Sequence, residues 1–112
     1  MKYLYKAVVT DVYDGDTITV TIDLGFKTFL HNQKIRLYGI DTPEIRGSVE
    51  VDKGKMVRNF VKDKILYETI ELETIKDEKK GKYGRWLGIV HYKDGNLNDE
   101  LWERGFAIRV KY

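Results

Sequence analysis

The stretch DGDTITVTI, residues 14–22, combines a turn with a strand and predicts the first part of the fold. Its first three residues, DGD, are typical of the turn between two antiparallel strands. From Thr17 to Ile22, threonine alternates strictly with apolar side chains, as in a strand that has one face against a core. The preceding segment, Tyr3–Tyr13, is rich in valine, tyrosine, leucine and threonine and predicts the partner strand. We therefore expect a β-hairpin near the start of the chain.

Three further segments are predicted as strands and two as helices. The strands are Lys34–Ile40, Glu68–Ile75 and Trp86–Tyr92, and the helices are residues 51–66 and Asp99–Arg104, the second with Asn98 as its N-cap and Gly105 at its end. Turns are expected at residues 23–26 and 94–96. The predicted order is three strands, a helix, two strands and a short helix. This order predicts an α+β, mainly β fold: a five-stranded OB-type barrel with two or three flanking α-helices.

The composition is that of a folded globular protein. With 112 residues, 42% of them hydrophobic, we expect a single domain over residues 1–112. The absence of cysteine excludes disulfides and thiolate metal sites, and a net charge of +2 is too small to require a nucleic-acid partner. No segment has the length of a membrane span. Without the apolar stretch of a signal peptide, we expect a cytoplasmic protein as written, or a secreted one if a leader was removed.

Three carboxylates lie in a predicted turn and a predicted loop, where a rigid scaffold often exposes functional groups. Asp16 belongs to the DGDT turn, and Asp41 and Glu44 belong to the loop DTPE, which contains the only proline. Carboxylate oxygens are hard ligands that suit calcium and magnesium. Taken singly, each motif is more often a hairpin turn or a helix start. The hypothesis of a cation site therefore rests on the two motifs together.

Two arginines accompany these carboxylates. Arg36 lies on the predicted strand that leads to Asp41, on the face opposite Ile35 and Leu37, and Arg85 follows a glycine in a later loop. The ordinary role of such arginines is ion pairing at the protein surface. Guanidinium groups also offer paired, planar donors to phosphate at any working pH. Because three carboxylates outnumber the two arginines, the site should bind a cation before it binds phosphate.

Four motifs together resemble the staphylococcal nuclease (thermonuclease) family in order and approximate spacing, over nearly the whole chain. They are DGDT at residues 14–17, RLYGIDTPE at 36–44, KYGR at 82–85, and LNDEL at 97–101 followed by GFA at 105–107. The resemblance implies a calcium-dependent endonuclease that hydrolyses DNA and RNA and leaves 3′-phosphates, with additional exonuclease activity left open.

The resemblance also implies the ligands of the calcium ion. Asp16 and Asp41 would bind it through their carboxylates and Thr42 through its main-chain carbonyl, with Asp14 nearby through a water molecule. Glu44 would act as general base, or would orient the attacking water.

By the same resemblance, Arg36 and Arg85 would bind the phosphate and its transition state. Lys82 and Tyr83 match a lysine–tyrosine pair of the family's nucleotide pocket, and Tyr112 is a further candidate for stacking on a base. Aromatic residues on strands are, however, more often part of a core. Single-stranded DNA and RNA are the expected partners.

Two features depart from the family. Trp86 replaces a small residue after Arg85 and would either fill the core or stack on the substrate. The chain ends at Tyr112, where the staphylococcal enzyme continues into another helix, so self-association through an exposed apolar surface is an alternative to the expected monomer. The alternative function is a catalytically silent OB-type module that binds single strands or a protein. The presence of all five charged residues favours the enzyme.

Overall fold

The computed structural model describes residues 3–47, 51–75 and 86–110. These residues contain eight strands and two helices. The strands are β1 (Tyr3–Asp14), β2 (Thr17–Asp23), β3 (Phe29–Leu37), β4 (Ile40–Asp41), β5 (Thr69–Ile75), β6 (Trp86–Tyr92), β7 (Gly95–Asn96) and β8 (Ile108–Arg109), and the helices are α1 (Val51–Ile65) and α2 (Leu97–Glu103). Neither helix has the length and apolar character that crossing a bilayer requires.

Five of the strands close into a barrel. Antiparallel pairs join β3 to β2, β2 to β1, β1 to β5 and β5 to β6, and a short parallel pairing of β6 with β3 completes the circle. Strands β4 and β8 form a separate two-stranded sheet, and β7 pairs with the end of β6. The predicted mainly β, five-stranded OB-type barrel is confirmed, and the described residues contain two flanking helices.

Apolar side chains fill the barrel interior and the space under the helices. Alternation along β2 places Ile18, Val20 and Ile22 inside, where each is buried. Helix α1 contributes one apolar stripe, because its buried side chains recur at helical spacing. Other members of this core are Val9, Val12, Ile35, Leu37, Ile40, Val57, Val61, Ile65, Ile70, Leu72, Val90, Leu97 and Leu101.

Strand β3 differs from its predicted bounds. It begins at Phe29 rather than Lys34. It ends at Leu37 rather than Ile40, because Gly39 turns the chain with a φ of 82°. The first four residues of β3 are exposed on both faces, since the β2–β3 hairpin extends beyond the core. A strand without a buried face shows no apolar alternation, so its sequence did not predict it.

The predicted N-cap of the last helix is wrong. Asn96, not Asn98, caps α2, and its side-chain oxygen accepts a hydrogen bond from the backbone N–H of Asp99 at 3.1 Å. Both residues are asparagine, which suits this position equally. Tertiary structure decides between them, because the side chain of Asn98 forms hydrogen bonds with the backbone of the barrel.

Asn98 connects α2 to the barrel. It is 3% exposed, and its side-chain oxygen accepts a hydrogen bond from Val90 N at 3.1 Å. Its amide nitrogen donates to the carbonyl oxygens of Tyr38 at 3.0 Å and Gly88 at 3.1 Å. One buried side chain therefore satisfies backbone groups of β6 and of the turn that follows β3.

Candidate functional site

Two sequence motifs that are distant along the chain meet at one end of the barrel. Asp16 lies in the turn between β1 and β2 and is only 6% exposed. Its Oδ2 accepts a hydrogen bond from the backbone N–H of Thr42 at 2.9 Å, and its carbonyl oxygen accepts one from Leu37 N at 2.8 Å. Asp16 therefore holds the end of β3 and the loop after Asp41 beside its own turn.

Arg36 lies between the two aspartates. Its Nη2 is 3.2 Å from Asp16 Oδ2 and also pairs with Asp41 Oδ1. Its Nη1 donates to the carbonyl oxygens of Leu37 at 3.0 Å and Ile40 at 2.8 Å. The guanidinium group is thus fixed by two carboxylates and two backbone carbonyls, and its orientation is set before any ligand binds.

These groups open into a cavity of about 420 Å³. Its lining residues are Tyr13, Asp14, Asp16, Arg36, Asp41, Thr42, Glu44, Ile45 and Arg46. The cavity brings together the predicted residues Asp16, Arg36 and Glu44. Four carboxyl groups face two guanidinium groups in the lining, which leaves a formal excess of two negative charges. A divalent cation would balance that excess.

Two glycines allow the loops of the cavity to pack closely. A Cβ atom on Gly54 of α1 would lie 2.3 Å from the carbonyl oxygen of Glu44, and one on Gly15 would lie 2.6 Å from Val57 Cγ1 and 2.9 Å from Thr42 Oγ1. Helix α1 therefore supports the backbone that carries Glu44. Gly54 belongs to none of the sequence motifs, although a glycine inside a predicted helix often has a packing reason.

Residues 34–112 match the family described as "Staphylococcal nuclease homologue". This range is more than half of the chain, and it includes Arg36, Asp41 and Glu44. The chain belongs to the staphylococcal nuclease family.

Three relatives are similar to this chain over most of the length of the chain. An uncharacterized protein of Methanocaldococcus jannaschii is 29% identical over 92% of this chain and 58% of its own. The SPbeta prophage-derived endonuclease YokF of Bacillus subtilis is 30% identical over 99% of this chain and 36% of its own. An uncharacterized endonuclease of Haemophilus influenzae is 31% identical over 92% of this chain and 51% of its own. The chain spans less than two thirds of the length of each relative.

Four of the residues that the staphylococcal nuclease resemblance singled out lie outside the described residues. They are Lys82, Tyr83, Arg85 and Tyr112. Trp86, the first residue of β6, is described. It is 43% exposed, and its Nε1 donates a hydrogen bond to Gln33 Oε1 at 3.3 Å. Trp86 therefore does not fill the barrel core.

The donor atoms of the cavity fit the hard cation that the family implies. Within residues 3–47, 51–75 and 86–110, no three histidine, aspartate or glutamate side chains form a metal cluster on their own. Asp16 and Asp41 instead share the guanidinium group of Arg36, so a cation site here needs a main-chain oxygen beside the carboxylates. Thr42 also has a buried Oγ1 atom without a hydrogen-bond partner. This oxygen atom and the excess negative charge of the cavity both favour a cation.

The pKa of Asp14 is raised by its buried position among the carboxyl groups of the cavity. Burial, followed by the hydrogen bond and the negative charge of the neighbouring Asp16 carboxyl group, raises the pKa of the half-buried Asp14 carboxyl from its ordinary value of 3.8 to about 7. The backbone N–H of Asp16, which donates to Asp14 Oδ1 at 3.1 Å, opposes the shift. Near pH 7, the Asp14 carboxyl group at this cavity is therefore only partly ionised, and a cation bound beside it would displace the remaining proton.

This shift predicts a loss of stability with rising pH in the absence of calcium. The folded protein binds the Asp14 proton more tightly than the unfolded chain does, so the free energy of unfolding falls between the ordinary pKa of 3.8 and the raised pKa of about 7. Because solvent reaches part of this carboxyl group, we expect a contribution of about 1 kcal/mol.

Denaturant unfolding with a chelator present measures this contribution. At about pH 8, Asp14→Asn should be more stable than the wild type by about 1 kcal/mol, and at about pH 3, below both pKa values, the two should be equal. The Asp23→Asn variant, which changes an aspartate outside the cavity, is the control. A difference between Asp14→Asn and the wild type that does not change with pH would contradict the prediction.

Proposed function

We propose that the chain hydrolyses phosphodiester bonds in DNA and RNA with calcium as cofactor, as an endonuclease that leaves 3′-phosphates. Membership of the staphylococcal nuclease family and the endonuclease names of two relatives support this proposal. The observation that carries it is the single cavity in which Arg36 and Glu44 face the pair of Asp16 and Asp41.

A phosphodiester anion repels a nucleophile, so a catalyst must neutralise charge at phosphorus. Asp16, Asp41 and the carbonyl oxygen of Thr42 are the groups that would hold calcium. When bound, calcium supplies positive charge and polarises a phosphoryl oxygen. Without it, the excess of carboxylates in the cavity disfavours an anionic substrate.

The residues of the chain itself orient the substrate and accept the proton. Arg36 is anchored through Nη1 to two backbone carbonyls, which leaves the Nη2 edge of the group directed toward the carboxylates and the cavity. Glu44 is exposed and has no ion-pair partner within the described parts of the chain. Glu44 therefore accepts a proton from water as the water oxygen bonds to phosphorus. The bond from phosphorus to the 5′-oxygen breaks, and that oxygen leaves with the electron pair and takes up a proton from solvent water.

Cleavage of a single-stranded oligonucleotide by the purified, folded protein tests the proposal. We expect cleavage that increases with calcium, stops with a chelator and yields 3′-phosphate ends. Glu44→Gln should lower turnover by about 10²–10⁴-fold without loss of folding, since it removes a proton acceptor from an exposed position. Glu68→Gln, which changes an exposed glutamate outside the cavity, is the matched control. Absence of cleavage at every calcium concentration would instead support a silent binding module.

A further inference from the structure

The cavity is larger than the reacting groups require. A phosphate group with an attacking water occupies on the order of 100 Å³, since one water takes about 30 Å³, whereas the cavity measures about 420 Å³. Sites of several hundred Å³ are typical of whole ligands. Beyond the carboxylates, Arg36 and Thr42, the wall is formed by Tyr13, Ile45 and Arg46. These three residues have no role in the chemistry described above.

Tyr13 offers an aromatic ring at this wall. It precedes Asp14 at the end of β1, on the face opposite the buried Val12, and it is 49% exposed. No hydrogen bond and no ring contact involves Tyr13 within the described residues. Its exposure excludes a role in the core. An aromatic ring with a free face is the feature on which unpaired nucleobases stack.

Arg46 offers a cation at the same wall. It is exposed and follows Glu44 by two residues in the loop after β4. In contrast to Arg36, which two carboxylates hold, Arg46 has no ion pair among the residues that the structure describes. Its guanidinium group is therefore available to a phosphate that arrives with the ligand.

We propose that Tyr13 and Arg46 form a subsite for the nucleotide next to the cleaved linkage, with the base stacked on Tyr13 and its phosphate bound by Arg46. The inference rests on the proposed function, because it takes a nucleic acid as the substrate. Stacking on a side chain requires a base that is free of its own partners. The subsite therefore binds a single strand in preference to a duplex.

Binding of a labelled single-stranded oligonucleotide, followed by fluorescence anisotropy, tests the role of Tyr13. A Glu44→Gln background with calcium present limits cleavage during the measurement. In that background, Tyr13→Ala should raise the Kd about tenfold, because loss of one stacked base weakens binding by this order, and Tyr13→Phe should not change it. Tyr3→Ala is the matched control: Tyr3 is 52% exposed, lies at the other end of the same strand, and should have no effect.

An oligonucleotide of the same length whose sugars carry no bases separates stacking from a structural effect. Tyr13→Ala should bind this probe as well as its parent does. An equal loss of affinity for both oligonucleotides, or no loss for either, would overturn the assignment of Tyr13.

The dependence of Kd on salt tests Arg46. One phosphate contact contributes about 0.7 to the slope of log Kd against log salt concentration for a single strand, so Arg46→Ala should lower the slope by about that amount. Arg58→Ala, on α1, should leave the slope unchanged, and an unchanged slope in Arg46→Ala would exclude the phosphate contact.

Because these measurements need no turnover, binding that depends on Tyr13 without any cleavage would keep the subsite and refute the nuclease proposal. Cleavage by the wild type, together with binding that does not depend on Tyr13, would keep the nuclease proposal and refute the subsite.

Discussion

Replacement of Arg36 by lysine should lower kcat on single-stranded DNA by about 10²–10³-fold, the effect of removing one fixed donor from a developing negative charge. The guanidinium group contacts the carbonyl oxygens of Leu37 and Ile40 through Nη1 and the aspartate pair through Nη2. Lysine has a single nitrogen and cannot keep both sets of contacts while it binds phosphate. Single-turnover kinetics at saturating calcium would measure the chemical step.

Arg36→Ala should have a second effect, on stability. Asp16 and Asp41 lose the cation between them, so the free energy of unfolding should fall by about 2 kcal/mol in a calcium-free buffer. Addition of calcium should recover part of this loss, because a cation that binds only the folded protein stabilises it. Arg58→Lys and Arg58→Ala are the controls for both measurements. Turnover of Arg36→Lys within about twofold of the wild type would contradict the role given to the guanidinium fork.

Replacement of Asn98 should cause the largest loss of stability. Asn98→Ala leaves the buried backbone N–H of Val90 without its partner and removes the hydrogen bonds that Asn98 donates to the carbonyl oxygens of Tyr38 and Gly88. Gly88 keeps the hydrogen bond from Tyr38 N at 2.8 Å. We expect the free energy of unfolding to fall by about 3 kcal/mol. Asn98→Asp should cost more, because an oxygen replaces the amide nitrogen that faces the carbonyls of Tyr38 and Gly88, and a charge is buried with it.

Urea denaturation of the variants would measure these costs. The matched control is Asn96→Ala, which removes only the cap of α2 and should cost about 1 kcal/mol. If Asn98→Ala cost no more than Asn96→Ala, the buried hydrogen bonds of Asn98 would not have the importance that the structure indicates.

Local patterns in the sequence were sufficient to predict the barrel strands with a buried face and both helices. Alternation identified β2, because one of its faces lies against the core, and helical spacing identified α1. The extension of β3 to Phe29 was not predictable in this way, since it has no buried face. The sequence also could not predict that Asn96, rather than Asn98, is the N-cap, because this depends on the contacts of Asn98 with the barrel.

The candidate site was predictable in its residue types but not in its contacts. The motifs indicated that Asp16 and Asp41 belong together, whereas the hydrogen bond from Thr42 N to Asp16 joins residues of different loops. The anchoring of Arg36 by backbone carbonyls depends on the turn at Gly39. Tyr13 and Arg46 were not identified because neither belongs to a motif, and only the shape of the cavity relates them to Glu44.

The parallel seam between β3 and β6 also bears on the order in which the protein folds. It joins segments about 50 residues apart in sequence, and such contacts form only after the entropy of closing a long loop has been overcome. The β1–β2–β3 meander has much shorter connections, so we expect it to form earlier. Arg36 lies within the seam, opposite Leu87. The pocket around Arg36 is therefore among the last parts to be assembled as the chain folds, and among the first to be lost when the barrel opens.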